Sequence, residues 1–288
     1  MARCEEKAPP FFESLGEAAR EVFTKGYGFG LVKLDFTTRA ASGVEFNTRG
    51  ASHTDSGRVS GALETRYSWP ERGLRLVECW STDNCLGTRI SVDDQLAKGL
   101  QLVFDTSFSP NTGKKTGLVK VLYARPFVSA TTDVDVSLGG PIVASSVVLA
   151  ARGWLAGYHM GLDVGKRKIT SNRISLGYMT EDFQLLTNVV DGVEFSGSYF
   201  QRVSERLDTA VRLAWSAGAP HPRFTLGGTY KIDQNASVSG KMNSASLLGL
   251  SYTQALRPGV KLSLCGLLDV KNINSGGHKL GLGLELEA

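Results

Sequence analysis

From residue 31 to the end, the polarity of this chain repeats every two residues. Val32, Leu34 and Phe36 alternate with Lys33 and Asp35. Leu74, Leu76, Glu78 and Trp80 alternate with Arg75, Val77 and Cys79, and Val260, Leu262 and Leu264 with Lys261, Ser263 and Cys265. Val128 to Leu138 and Leu207 to Trp215 follow the same rule. Successive strand side chains point to opposite faces, so each run predicts a strand with one apolar and one polar face. Turn signals such as Asp55-Ser56-Gly57, Pro110-Asn111-Thr112-Gly113 and Pro258-Gly259 separate the runs. Nineteen runs can be counted, from 30–38 to 277–287. The repeat is about 13–14 residues, enough for a ~9–11-residue membrane-crossing strand and a short turn.

Nineteen one-sided strands cannot lie in a flat sheet. A sandwich of that size would divide into domains, and no linker is visible. A single closed barrel of nineteen strands, tilted ~40° and ~4.8 Å apart, has a backbone radius of roughly 19 Å. Side chains cannot fill such a lumen. The polar set therefore faces water inside and the apolar set faces lipid. Tyr67, Trp69, Trp80, Tyr123, Trp154, Tyr178, Trp215 and Tyr230 fall near predicted strand ends, where interfacial girdles belong. No stretch approaches the ~18 apolar residues of a membrane helix.

Ahead of the strands, Leu15, Ala18, Ala19, Val22 and Phe23 recur at helical spacing, with Glu13, Glu17, Arg20 and Glu21 opposite. This predicts an amphipathic helix of about four turns. Its apolar face needs an inward-facing apolar partner, such as Leu118 or Leu122. Gly26, Gly28 and Gly30 form a flexible joint after it. Residues 1–30 thus make a tail, helix and hinge, and residues 31–288 the all-β transmembrane barrel.

The net charge is only +4, and the densest basic run, Lys166-Arg167-Lys168, reads as a solvated turn. Nucleic acid is therefore not the main ligand. Cys4, Cys79, Cys85 and Cys265 are scattered, with no zinc spacing and no apolar leader before Pro10. The four histidines are dispersed and no nucleophile motif or phosphate loop is present, so neither an enzyme nor a required cofactor or metal is expected. Arg20, Lys33, Asp35 and Lys120 are candidate pore charges, and the inward strand positions hold equal numbers of bases and acids. Such balance predicts no anion preference by itself.

Several segments resemble the mitochondrial porins, the voltage-dependent anion channel family: Phe23-Thr24-Lys25-Gly26-Tyr27-Gly28-Phe29-Gly30, Thr82-Asp83-Asn84, Phe108 to Lys115, Gly153 to Tyr158, and Gly276 to Gly283. The resemblance runs from about Leu15 to the C-terminus. It implies a voltage-gated, weakly anion-selective channel of the mitochondrial outer membrane that passes ions, ATP, ADP and small metabolites. It implies parallel pairing of the first and last strands and an N-terminal helix lying inside the pore. It also implies weak NAD(H) and ATP contacts at Lys25, Leu247-Leu248-Gly249 and Cys265-Gly266-Leu267-Leu268-Asp269, and a gating and docking role for membrane-facing Glu78. Kinase (hexokinase) and Bcl-2-family partners, and a homo-oligomer, come with it. Glu17 stands where the family usually has Lys, which weakens phosphate attraction there. Glu17, Pro70, Cys79 and Pro126 motivate an alternative, a poorly conducting docking platform. A protein-import pore of the same fold is a third reading, which the specific segments disfavour.

Overall fold

The structure, a computed structural model, describes residues 8–137, 140–219 and 221–288. Cys4 and Leu138 lie outside them. Nineteen strands follow one another: β1 Leu31–Arg39, β2 Val44–His53, β3 Val59–Trp69, β4 Leu74–Ser81, β5 Cys85–Asp93, β6 Leu100–Ser109 and β7 Lys114–Arg125. Then come β8 Val128–Ser137, β9 Gly140–Ala151, β10 Trp154–Asp163, β11 Lys168–Met179, β12 Phe183–Val190 and β13 Glu194–Ser204. The wall ends with β14 Leu207–Ser216, β15 Arg223–Lys231, β16 Ala236–Asn243, β17 Leu247–Arg257, β18 Val260–Asp269 and β19 Lys279–Glu287.

Each strand pairs antiparallel with the next in one 19-stranded sheet, and β1 pairs with β19 in parallel to close it. The closing register sets Val32 against Leu282 and Phe36 against Leu286. With nineteen strands, and hence an even number of antiparallel steps, the first and last strands run the same way. Closure leaves no open edge whose backbone groups would meet lipid unpaired.

The register fixes the faces. Lys33, Arg66, Arg89, Asp105, Lys120, Asp133, Arg212, Lys241 and Lys261 fall in the inward set, with Val32, Leu63, Phe104, Leu213 and Leu264 outward. All eight tyrosines and tryptophans expected at strand ends fall on the outward set. They cluster near the mouths as edge-to-face pairs such as Tyr67–Trp69 and Trp154–Tyr178. A soluble protein would hide such residues, whereas a barrel in lipid turns them outward.

The N-terminal helix differs from expectation. A 3-10 turn at Phe12–Ser14 is separated from α1, Glu17–Thr24, by extended Leu15 and by Gly16 at φ +70°. The left-handed glycine breaks the single helix that the spacing suggested. The Arg20 guanidinium bridges the break, donating to the carbonyls of Glu13 (3.0 Å) and Leu15 (3.2 Å). Eight residues are too few for an isolated helix, so its stability comes from the wall.

Candidate functional site

The N-terminal segment lies against the inner wall. Leu15 packs with Val148, Leu155 and Leu186, all buried, with Phe12 beside them. Ala19 and Val22 pack with Phe200 and Ala210. The helix partners are therefore inward residues of β9, β10 and β12 to β14, not Leu118 or Leu122 of β7. Burying Leu15 and Val22 contributes roughly 1.5–3 kcal/mol each. At the front, Ser129 donates to the Pro10 carbonyl (3.0 Å) and Phe12 stacks on His159 at 5.4 Å.

Wall glycines make the room. A Cβ on Gly157 would come within 3.0 Å of the Phe12 ring, on Gly227 within 2.9 Å of Phe23, and on Gly249 within 2.7 Å of Phe29. One on Gly281 would overlap the Gly28 carbonyl.

The glycine hinge is fastened at each step. Ser251 Oγ donates to the Gly26 carbonyl (2.7 Å), Gly28 N–H to Cys265 Sγ (3.1 Å) and Gly30 N–H to the Leu280 carbonyl (2.9 Å). Ser251, Cys265 and Gly281 are neighbours in one ladder row, so the hinge crosses β17, β18 and β19 along a trough of small residues. Gly26 and Gly30 have φ of +81° and +69°, which only glycine adopts at little cost. Lys241 Nζ donates to the Phe23 carbonyl and sits over the rings of Tyr27 (4.0 Å) and Phe29 (5.1 Å). Burial pushes the Tyr27 phenol up to about 12, so it stays protonated at any physiological pH.

The rest of the lumen is lined by charge. Arg49 reaches Asp35 and Glu64 (both 3.8 Å), Arg66 reaches Glu45 (3.1 Å) and Glu64, and Arg89 reaches Asp105 (2.6 Å). Lys120 meets Asp133 at 3.3 Å, Arg202 meets Asp208 at 3.5 Å and Lys261 meets Glu285 at 2.9 Å. Among the described residues, Lys25, Lys33, Arg173, Arg212, Lys231 and Lys241 have no ion pair. Arg49 was absent from the inward charges expected from sequence, although its alternation with Thr48 and Gly50 shows it.

The sequence-predicted residues do not all meet. Lys25, exposed at the end of α1, shares a cavity of about 880 Å³ with Glu21, Arg202, Lys231, Lys261 and Glu285. Lys33 and Asp35 line another, of about 1150 Å³, with Arg49, Asp83 and Lys261. Arg20 is engaged with backbone carbonyls at the helix break. Leu247, Gly249, Cys265, Leu267 and Asp269 face inward, but Gly249 and Cys265 lie beneath the hinge. Leu248, Gly266 and Leu268 face outward, so their side chains cannot reach a ligand in the lumen.

Glu78 is on the outer face between Leu76 and Trp80 and is exposed, with no hydrogen bond or ion pair among the described residues. Its ladder neighbours are Thr65 and Thr88, and Thr106 follows on β6. A carboxylate facing lipid beside hydroxyls is costly, the more so without a partner. Cys79 faces the lumen beside Glu64 and Gly87, Pro70 opens a 3-10 turn after β3, and Pro126 sits in the β7–β8 turn. None of these residues interrupts a ladder. The features behind the docking-platform alternative leave the wall intact.

No group of three metal-ligating side chains exists among the described residues. A sequence profile of the eukaryotic porin family matches residues 8–281. The chain belongs to that family. Among its relatives, the non-selective voltage-gated ion channel VDAC2 of Meleagris gallopavo is 58% identical over 280 residues, covering 97% of this chain and 95% of the relative. VDAC2 of Xenopus laevis is 57% identical, covering 97% and 99%, and VDAC1 of Sus scrofa 53%, covering 97% and 99%. This porin therefore falls among channels rather than enzymes, and the poorly conducting alternative is not favoured.

Proposed function

We propose that this porin is a voltage-gated channel of the mitochondrial outer membrane, passing ions, adenine nucleotides and small metabolites by diffusion. The observation that carries it is the closed 19-stranded wall around a charge-lined lumen, in a family whose relatives are named voltage-gated channels. Subtracting side chains from a backbone radius of roughly 19 Å leaves ample room for a hydrated nucleotide. Selectivity is weak, because cross-strand pairs cancel much of the charge an ion passes. Any anion preference rests on the unpaired cations.

Nucleotide phosphates meet Lys25, Arg202 and Lys231 in the cavity below the helix, since the trough at Gly249 and Cys265 is filled by Phe29 and Gly28. NAD(H) and ATP are weak passing ligands here, not cofactors. Glu78 supplies an outer-face position where a membrane-docked partner, such as hexokinase, a Bcl-2-family protein or a second copy, would meet the wall.

Planar-bilayer recording of the refolded protein tests the reading. A salt gradient and both voltage signs should give a large open conductance, a small reversal potential and closure at higher voltage. Insertion without conductance would sink it.

A further inference from the structure

We propose that Lys241 is a positioning residue for gating: it latches the N-terminal segment to the wall, and its charge is withheld from the ions in the lumen. Among the described residues it is the one wall cation that hydrogen-bonds the N-terminal segment. Its acceptor, the Phe23 carbonyl, lies in the last turn of α1, where carbonyls lack helical partners and the helix dipole favours a cation. Tyr27 and Phe29 close over the ammonium from the hinge, at 4.0 and 5.1 Å. Aromatic faces hold a desolvated cation and keep water and mobile anions from it. One side chain on β16 therefore grips both ends of the helix–hinge joint, Phe23 and Phe29. Among the described residues no acid pairs with it, and its contacts are with the N-terminal segment.

Lys231, ten residues away on β15, is the contrast. It is inward-facing and exposed, with no ring over it and no ion pair among the described residues. The two lysines carry the same charge but should act on different observables. This inference builds on the channel reading, yet part of its test needs no current. Cys265 lies under the hinge, only 9% exposed. Its rate of alkylation by a membrane-impermeant maleimide reports release of the hinge. Peptide-resolved mass spectrometry separates it from Cys4 and from the other free thiols among the described residues, Cys79 and Cys85.

In reconstituted protein, Lys241→Met should raise the Cys265 labelling rate about thirtyfold, the equilibrium factor for losing a desolvated cation–π contact. It should shift the closing voltage while leaving the reversal potential in place. Lys231→Met should do the opposite, moving the reversal potential toward cations with Cys265 labelling unchanged. Lys241→Arg, which can stack on both rings, should restore slow labelling. The proposal is overturned if Lys241→Met moves the reversal potential as far as Lys231→Met does and leaves labelling as it was. Should Lys241→Met fail to insert, the double variant Tyr27→Leu/Phe29→Leu uncages the lysine without removing it. Faster labelling with a gain in anion preference supports the latch, and no change in either refutes it. Unmodified protein that inserts without current would refute the channel reading, while the labelling comparison would still judge the latch.

Discussion

The inner wall has two unlike arcs. From β18 through β19 and β1 to β8, most inward cations meet acids on neighbouring strands, as in Arg89–Asp105 and Lys261–Glu285, Lys33 and Lys114 being exceptions among the described residues. From β9 to β16, Val148, Leu155, Leu186, Phe200 and Ala210 turn inward, and Arg173, Arg212, Lys231 and Lys241 have no ion pair among the described residues. Arg202–Asp208 is the exception within that arc. The first arc completes its electrostatics within the wall. The second is completed by the N-terminal segment, which covers the apolar residues and brings Glu13, Glu17 and Glu21 into a region of excess cations. A barrel built only like the first arc would need no helix. One built only like the second would leave apolar residues in water.

The largest expected effect attacks the seat of the hinge. Gly281→Val drives a side chain into the Gly28 carbonyl. Overpacking typically costs about 1–3 kcal/mol and more where, as here, the overlap is with backbone. Limited proteolysis should cut near residue 26 in the variant and spare the parent. Equal resistance would show that the wall can shift to keep the seat. Next, Leu15→Ala removes the apolar anchor between Val148, Leu155 and Leu186. Docking should weaken by about 2–3 kcal/mol, in the lower part of the range for buried Leu→Ala. The Leu15–Val148 contact in methyl NMR would report it.

How much of this contrast could be read beforehand depends on which signal carries it. Strand existence and facing are carried by a period of two that tolerates no slip, and every predicted strand lies within three residues of its structural counterpart at both ends. The seat was less visible. Val147-Val148-Leu149-Ala150, Leu185-Leu186 and Tyr199-Phe200 are apolar on both faces at once. That departure from alternation marks where something apolar must cover the inner wall. The partner expected from sequence lay on β7 instead. The break at Leu15-Gly16 was hidden because the apolar spacing runs through it, and only the positive φ of Gly16 shows it. Lys241 looked like any pore lysine. Its cage is formed by residues 212 or more positions earlier, and no local pattern encodes that.

A smaller effect separates the arcs electrically. The double variant Arg89→Gln/Asp105→Asn removes a pair from the first arc and should leave the reversal potential unmoved. Arg212→Gln removes one unpaired charge from the second and should move it toward cations. Equal shifts would erase the distinction between the arcs. Glu17→Lys should move it toward anions, since it exchanges a negative for a positive charge in the same lumen.

The smallest effect lies at the mouth where β1 begins. The Lys279 ammonium, hydrogen-bonded to Asp55 in the β2–β3 turn, holds that carboxyl below its ordinary value. A depressed carboxylate contributes stability above its unfolded-state pKa and loses it as pH falls through the folded value. Asp55 is fully exposed, so the contribution is slight. Carboxyl NMR should show Asp55 titrating below the usual range, and Lys279→Met should return it.

The parallel pairing of β1 with β19 also orders events in time. The hinge trough is made of Ser251, Cys265, Gly281 and the Leu280 carbonyl, all from the last forty or so positions of the chain. The hinge, made long before these strands, thus has no seat until they are in place, although α1 can already rest on β9 to β14. Contacts so distant along the chain form slowly. A truncated or half-inserted chain would carry its hinge loose. A seated hinge is therefore a certificate that the wall has closed.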